Sequence, residues 1–303
     1  MINKQENEVP RRGVLQITKI DTPRCMIGEG PVWDAAEQAL YFIDILGKKV
    51  LRFDPANGET VSWDVPDIIG SMAIRKGGGA IIALANGVHT LDFETGACLM
   101  LASSPDLNDQ VQLADGKVDR RGRFIVGSSD RGMKVARGKL YVLDPGATQL
   151  REIDDDIFLA NGPCWSPDDS IFYHADSIRK MIYAYDYDLE KGTVANRRPF
   201  ASTEELGGIP DGATVDADGH IWSAICEGAK LVRFRPNGSI DRIVEFPLKL
   251  PGSVMFGGTA LDQLYVPTLS PAFMGREADP SDGSTYVIEG LGITGLPEPR
   301  FGG

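Results

Sequence analysis

Residues 209–246 read IPDGATVDADGHIWSAICEGAKLVRFRPNGSIDRIVEF. Gly212 opens a short apolar run that ends at the turn Asp218-Gly219. The runs HIWSAIC, KLVRFRP and IDRIVEF follow, separated by a glycine tip and by the turn Asn237-Gly238. β-Branched and aromatic runs of this length, bounded by Gly, Asn, Asp and Pro, read as strands joined by hairpin turns. Asn-Gly and Asp-Gly supply the backbone conformation that tight hairpins require. This stretch is therefore one antiparallel unit of four strands.

The same opening recurs at Glu29-Gly30, Ile69-Gly70, Asp115-Gly116, Asn161-Gly162 and Pro251-Gly252. With Asp211-Gly212 that makes six sites at a spacing of roughly 40 to 50 residues, a period that marks a repeat array. The first unit has PVWDAA, then ALYFIDIL, KVLRFDP and the turn Asn57-Gly58; the fourth has PCWSP, IFYHADS and MIYAYDYD. No long amphipathic helix interrupts them. The expected fold is all-β: a six-bladed β-propeller with four-stranded antiparallel blades. Residues 1–13 are expected to be an N-terminal tail and residues 14–303 a single domain. The strand-like run 14–20 is expected to complete the last blade beside residues 285–288, which would hide both open edges.

A propeller places equivalent residues around one axis. The residues before the six glycines should ring one mouth of the central channel, and four of them are Glu29, Asp115, Asn161 and Asp211. Oxygen-bearing groups converging on an axis suit a hard divalent cation.

Composition narrows the function. The 303 residues carry a net charge of −12, which disfavours nucleic acid and anionic membrane as partners. The 42% apolar fraction supports a sizeable core. The first residues lack the apolar run of a secretory signal, and no stretch is long enough to span a membrane. Cys25, Cys98, Cys164 and Cys226 lie far apart and form no C-x-x-C pair. They read as reduced, structural thiols in a cytoplasmic protein. There is no G-x-S-x-G and no H-E-x-x-H. Asp216 and Asp218 imitate the start of a calcium loop, but the rest of that loop is missing, so they read as a hairpin turn. His89, His174 and His220 read as structural, and Trp33, Trp165 and Trp222 as packing between blades. Two insertions break the repeat, residues 128–139 (SSDRGMKVARGK) and 267–283 (PTLSPAFMGREADPSDG). Long insertions on a regular scaffold often line a site.

The phrases Gly28-Glu29-Gly30-Pro31-Val32-Trp33, Asn161-Gly162-Pro163-Cys164-Trp165-Ser166-Pro167-Asp168 and Ile209-Pro210-Asp211-Gly212-Ala213-Thr214-Val215-Asp216 resemble the regucalcin/gluconolactonase family. So do Asp115-Gly116-Lys117-Val118-Asp119 with Gly122-Arg123, and Phe256-Gly257-Gly258. The likeness runs in order from about Gly28 to Ile288. It implies a six-bladed propeller with one divalent cation near the top of the channel, and hydrolysis of sugar-acid lactones. The family's three metal ligands fall on Glu29, Asn161 and Asp211, and the resemblance suggests Asp211 as the general base. Asp115 would brace the ligands or face the substrate. Where the family commonly carries Arg-x-Asn-Asp-Gly, this chain has Gln112-Leu113-Ala114-Asp115-Gly116. Gln112 and Ala114 thus stand at substrate-facing positions with altered chemistry, which implies retained hydrolysis and a shifted, less polar lactone.

Two charges and a neutral oxygen leave coordination positions open, as a catalytic site requires. All-oxygen donors suit calcium first; magnesium, manganese, zinc and iron(II) are also compatible. The expected activity is metal-dependent opening of a small-molecule lactone by water. The competing readings are an arylesterase or phosphotriesterase on the same scaffold, and a non-enzymatic metal-binding propeller.

Overall fold

In the computed structural model, which describes residues 14–302, the strands form six four-stranded antiparallel sheets among the described residues. The tail 1–13 lies outside the described residues. Five sheets are built from consecutive strands, beginning with Gly28–Asp34, Ile69–Ile74, Val111–Val118, Ala160–Trp165 and Ile209–Val215 as the innermost strands of blades one to five. The sixth runs Met255–Gly257, Gln263–Pro267, Thr285–Glu289 and then Gln16–Lys19 from the other end of the chain. Ile17 pairs with Ile288 and Thr18 with Val287, so the first strand closes the ring as the sequence suggested. The inner strand of this blade starts three residues after Gly252 rather than at it.

Burial explains the residue choice. The second strands Ala39–Asp44, Phe124–Asp130 and Ile221–Cys226 are buried along their whole length. Each has a neighbouring blade against both faces, so the run is continuously apolar or small. The outermost strands Glu59–Asp64 and Ile240–Glu245 face water and carry charges. Apolar clusters sit between blades, not within them. Trp33 of blade one stacks on Tyr265 of blade six at 5.5 Å, and Trp222 of blade five meets Phe256 of blade six edge-on at 6.1 Å.

The periodic glycines have a packing reason. Five inner strands carry one extra residue at the glycine, a bulge that re-aims the preceding side chain. Gly162 has φ +58 there, and a Cβ on it would lie 2.8 Å from the Asp211 carbonyl oxygen. A Cβ on Gly212 would lie 1.8 Å from Ser253 Oγ of the next blade. Inner strands meet too closely around the axis for any side chain at these points.

Each inner strand runs from the ring end of the channel to its far end. The connections between second and third strands therefore return to the ring end, and both insertions, 131–137 and 268–284, lie there. The far end is crossed by the C-terminal segment. Ala217 N donates to Thr294 O (2.8 Å), Gly295 N to Leu261 O (2.7 Å), Phe301 N to Ile74 O (2.8 Å) and Gly302 N to Gly122 O (2.9 Å). Lys117 reaches Glu298 at 3.6 Å, and Phe301 is buried between blades two and three. This segment ties opposite sides of the ring together. Its sequence carries no strand pattern, and it was not legible as a structural element.

Candidate metal centre

Four of the six ring positions carry side-chain oxygens, Glu29, Asp115, Asn161 and Asp211; Ile69 is fully buried and apolar, and Pro251 has no side-chain donor. Glu29 and Asp211 are both buried, with their carboxyls against one another. Glu29 Oε2 accepts the Gly30 N–H at 2.9 Å, while its Oε1 is buried without a hydrogen-bond partner among the described residues. Asp115 Oδ1 accepts from Gly116 N (2.7 Å) and Oδ2 from Gly162 N (2.8 Å), the residue after Asn161. Asn161 Nδ2 donates to Ser177 Oγ (2.9 Å), which donates to Pro210 O (2.6 Å) beside Asp211. With its amide nitrogen committed, Asn161 presents its carbonyl oxygen as the remaining donor atom.

Ser177 and Cys226 stand at the ring end of the second strands of blades four and five. Ser177 holds Asn161, and the Cys226 thiol lies beside the Asp211 carboxyl. Sequence reading assigned Cys226 a structural role and gave Ser177 none. The signal for both was position: each directly follows, or ends, the strand paired with a ring-bearing strand.

Electrostatics mark the site. Burial, then the charges of Asp211 and Asp115, push the Glu29 carboxyl well above the usual carboxylate range. Burial, then Asp115, push Asp211 up to about 8. Asp115 is raised by burial and held back mainly by Lys117. Burial and then Asp211 hold the Cys226 thiol well above its ordinary value. Lys117 is the cation beside Asp115, and it also pairs with Glu298 and donates to Ala213 O at 3.1 Å. A buried set of acidic oxygens with an orphaned acceptor and raised proton affinity fits a divalent cation. Glu29, Asn161 and Asp211 would hold it, and Asp115 would fix the Asn161-Gly162 turn.

The substrate-facing expectations divide. Gln112 is half-buried, opposite Ser129 in the strand register. Ala114 is buried in an apolar cluster with Ile125, Leu140, Ile157 and Ala160, between blades three and four. From the insertion 267–283, Leu269 and Met274 join Ile27, Ile209, Cys226 and Leu250 in a cluster beside the ring. The insertion 128–139 is tethered by Arg137, which pairs with Asp130 at 2.9 Å, and by Arg131 N to Gln110 O at 2.9 Å.

A second acidic group, Asp216, Asp218 and His220, gathers donor atoms within 4.8 Å. It lies in the hairpin at the far end, and Arg233 fills it: the guanidinium pairs with Asp216 (2.7 Å), Asp218 (3.0 Å) and Asp241 (2.8 Å). Asp216 Oδ1 also accepts the Asp218 and His220 N–H groups. The arrangement is a turn braced by one guanidinium shared among three carboxylates. His174 is buried with neither ring nitrogen bonded among the described residues, and burial pushes it down to about 3, so it is a neutral packing residue.

Comparison with known proteins agrees with this architecture. The SMP-30/Gluconolactonase/LRE-like region matches residues 27–270. Regucalcin of Xenopus laevis is 34% identical over 288 residues, covering 91% of this chain and 95% of that protein. The structure of a luciferin-regenerating enzyme superposes with a TM-score of 0.88 at 26% identity, over 95% of this chain and 100% of its own. A calcium-binding regucalcin from Agrobacterium tumefaciens superposes with a TM-score of 0.85 at 23% identity, over 93% and 96% of the two chains, a likeness of fold. The chain belongs to the SMP-30/gluconolactonase/LRE-like family.

Proposed function

We propose that this protein is a metal-dependent hydrolase that opens a small lactone. The observation that carries the reading is Glu29 Oε1, a buried carboxyl oxygen with no hydrogen-bond partner among the described residues, beside the buried carboxyl of Asp211. A carboxylate left this way costs free energy unless a ligand answers it. A divalent cation held by Glu29, Asn161 and Asp211 would polarise an ester carbonyl as a Lewis acid.

The chain's own residues then have separate tasks. Ser177 fixes the Asn161 amide, so that its oxygen rather than its nitrogen faces the axis. Cys226 packs its thiol against the Asp211 carboxyl. Asp211, bordering the cation, would take the proton from the attacking water, the role that the family resemblance suggests for it. Asp115 holds the Gly162 backbone and thereby the height of Asn161. Gln112 presents no charge from the third blade and Ala114 no polar group, its methyl packed between blades three and four, which favours a lactone with fewer hydroxyls than a sugar acid.

The test is metal analysis of the purified protein, followed by a lactone and aryl-ester panel read with a pH indicator, with and without chelator. Chelator-sensitive opening of lactones is expected. Hydrolysis that survives complete metal removal would overturn the proposal, and a preference for aryl esters would move the substrate class.

A further inference from the structure

The ring has an apolar collar. Two residues before each proposed ligand stands a branched aliphatic: Ile27 before Glu29, Leu159 before Asn161 and Ile209 before Asp211. Residues two apart in a strand share a face, so all three lie one step nearer the mouth than the ligands. All three are half-buried. Ile27 and Ile209 belong to the cluster that also holds the buried Cys226, Leu250 and Leu269 and the half-buried Met274.

This cluster abuts the ring at two points. The Cys226 thiol lies beside the Asp211 carboxyl. Leu269 Cδ1 and Glu29 Oε1 lie 2.6 and 2.5 Å from one and the same point, the position a Cβ on Gly252 would take, so the two atoms are neighbours. Phe273, next to Met274 at the same mouth, is 37% exposed. The backbone here has its hydrogen bonds already: Leu269 N to Leu250 O (2.9 Å), Gly252 N to Pro267 O (3.0 Å) and Ser270 N to Met26 O (3.0 Å).

We infer that this sector, between blades five, six and one, receives an aliphatic chain, so that the substrate is a lactone bearing an unbranched alkyl substituent. The inference rests on the hydrolase reading, because the ligand ring fixes where the reacting carbonyl sits. A substituent leaving that carbonyl toward blade six meets the half-buried Ile27, Ile209 and Met274 and the partly exposed Phe273. A hydroxyl placed there gives up water and finds no replacement. A methylene leaves water for apolar contact, worth about a fourfold gain in affinity for each one fully buried.

The experiment uses the full-length, calcium-loaded protein. Binding of γ-lactams with propyl to octyl side chains is measured by calorimetry, and opening of the matching γ-lactones by pH indicator. Lactam affinity should rise about threefold per methylene over at least three additions. Met274→Ser, and separately Ile209→Val, should flatten that slope. Affinity independent of chain length, tighter binding of a polyhydroxylated lactam than of the octyl compound, or an unchanged slope in both variants would overturn the inference. A length-dependent lactam affinity with unopened lactones would instead overturn the hydrolase reading and leave the subsite standing.

Discussion

Asp115 Oδ2 accepts the Gly162 backbone N–H at 2.8 Å, across the seam between the third and fourth blades. A carboxylate of one blade thus sets the turn that carries a proposed metal ligand of the next. Asp115→Ala removes that brace and should weaken cation binding about tenfold or more, the usual cost of losing such a support. Asp115→Asn keeps an acceptor for Gly162 and should recover part of the loss. Calorimetric titration of the metal-free protein decides this; equal affinities in wild type and Asp115→Ala would show that the brace does not matter.

Asp211→Ala and Glu29→Gln should each lose the cation and the activity while keeping the propeller. The apolar clusters lie between blades and contain neither residue. Metal content and circular dichroism are the readouts. Stoichiometric metal in Asp211→Ala would show that the ligand set is wrongly assigned.

The pH dependence of the metal-free protein has a definite sign. Asp211 in the folded chain sits near 8 because of burial and Asp115, whereas an unfolded aspartate titrates near about 3.9. The folded state therefore binds the extra proton. The stabilisation this confers is full below about 4 and is lost as pH rises through about 8. The melting temperature of chelated protein should fall between pH 6 and pH 9, and Asp211→Asn should flatten the fall. Added divalent cation should oppose it. A flat profile in chelated wild type would contradict the buried cluster.

Selectivity should respond to the third blade. Gln112→Arg should raise kcat/KM for gluconolactone relative to an alkyl lactone, by up to about tenfold if the new donor reaches a hydroxyl. Ala114→Asn places an amide where an apolar cluster now packs. If the amide turns to the pocket, preference shifts further; if it stays in the cluster, unpaired, stability drops by about 1–3 kcal/mol with no change in preference. The two changes should be made singly and together, because neighbours couple. Unchanged preference in the double variant across a lactone panel would show that these positions do not select substrate.

Phe301→Ala should destabilise the fold by about 3–5 kcal/mol, the cost of emptying a buried aromatic site. Phe301 is 1% exposed, and its backbone bonds to Ile74 and Lys76. Chemical denaturation measures this directly. A loss below 1 kcal/mol would mean the C-terminal segment does not staple the ring.

The sequence by itself determined the blades and the ring. Glycines are forced wherever inner strands meet near the axis, so the spacing of Gly30, Gly70, Gly116, Gly162 and Gly212 records the symmetry in one dimension. Hairpin turns such as Asn237-Gly238 are local chemistry and are equally readable, and the pairing of residues 14–20 with 285–288 follows from the need to close an open edge. Only the tertiary structure decided the rest. That Cys226 touches Asp211, that Ser177 orients Asn161 and that Arg233 bridges Asp216 and Asp218 depend on strand register and on a bulge of one residue. The C-terminal segment escaped notice because its bonds run to Ile74, Gly122 and Leu261, residues remote in sequence, and it has no periodicity of its own. Contacts between distant segments leave no mark in a local pattern; close approach around an axis does, because only glycine permits it.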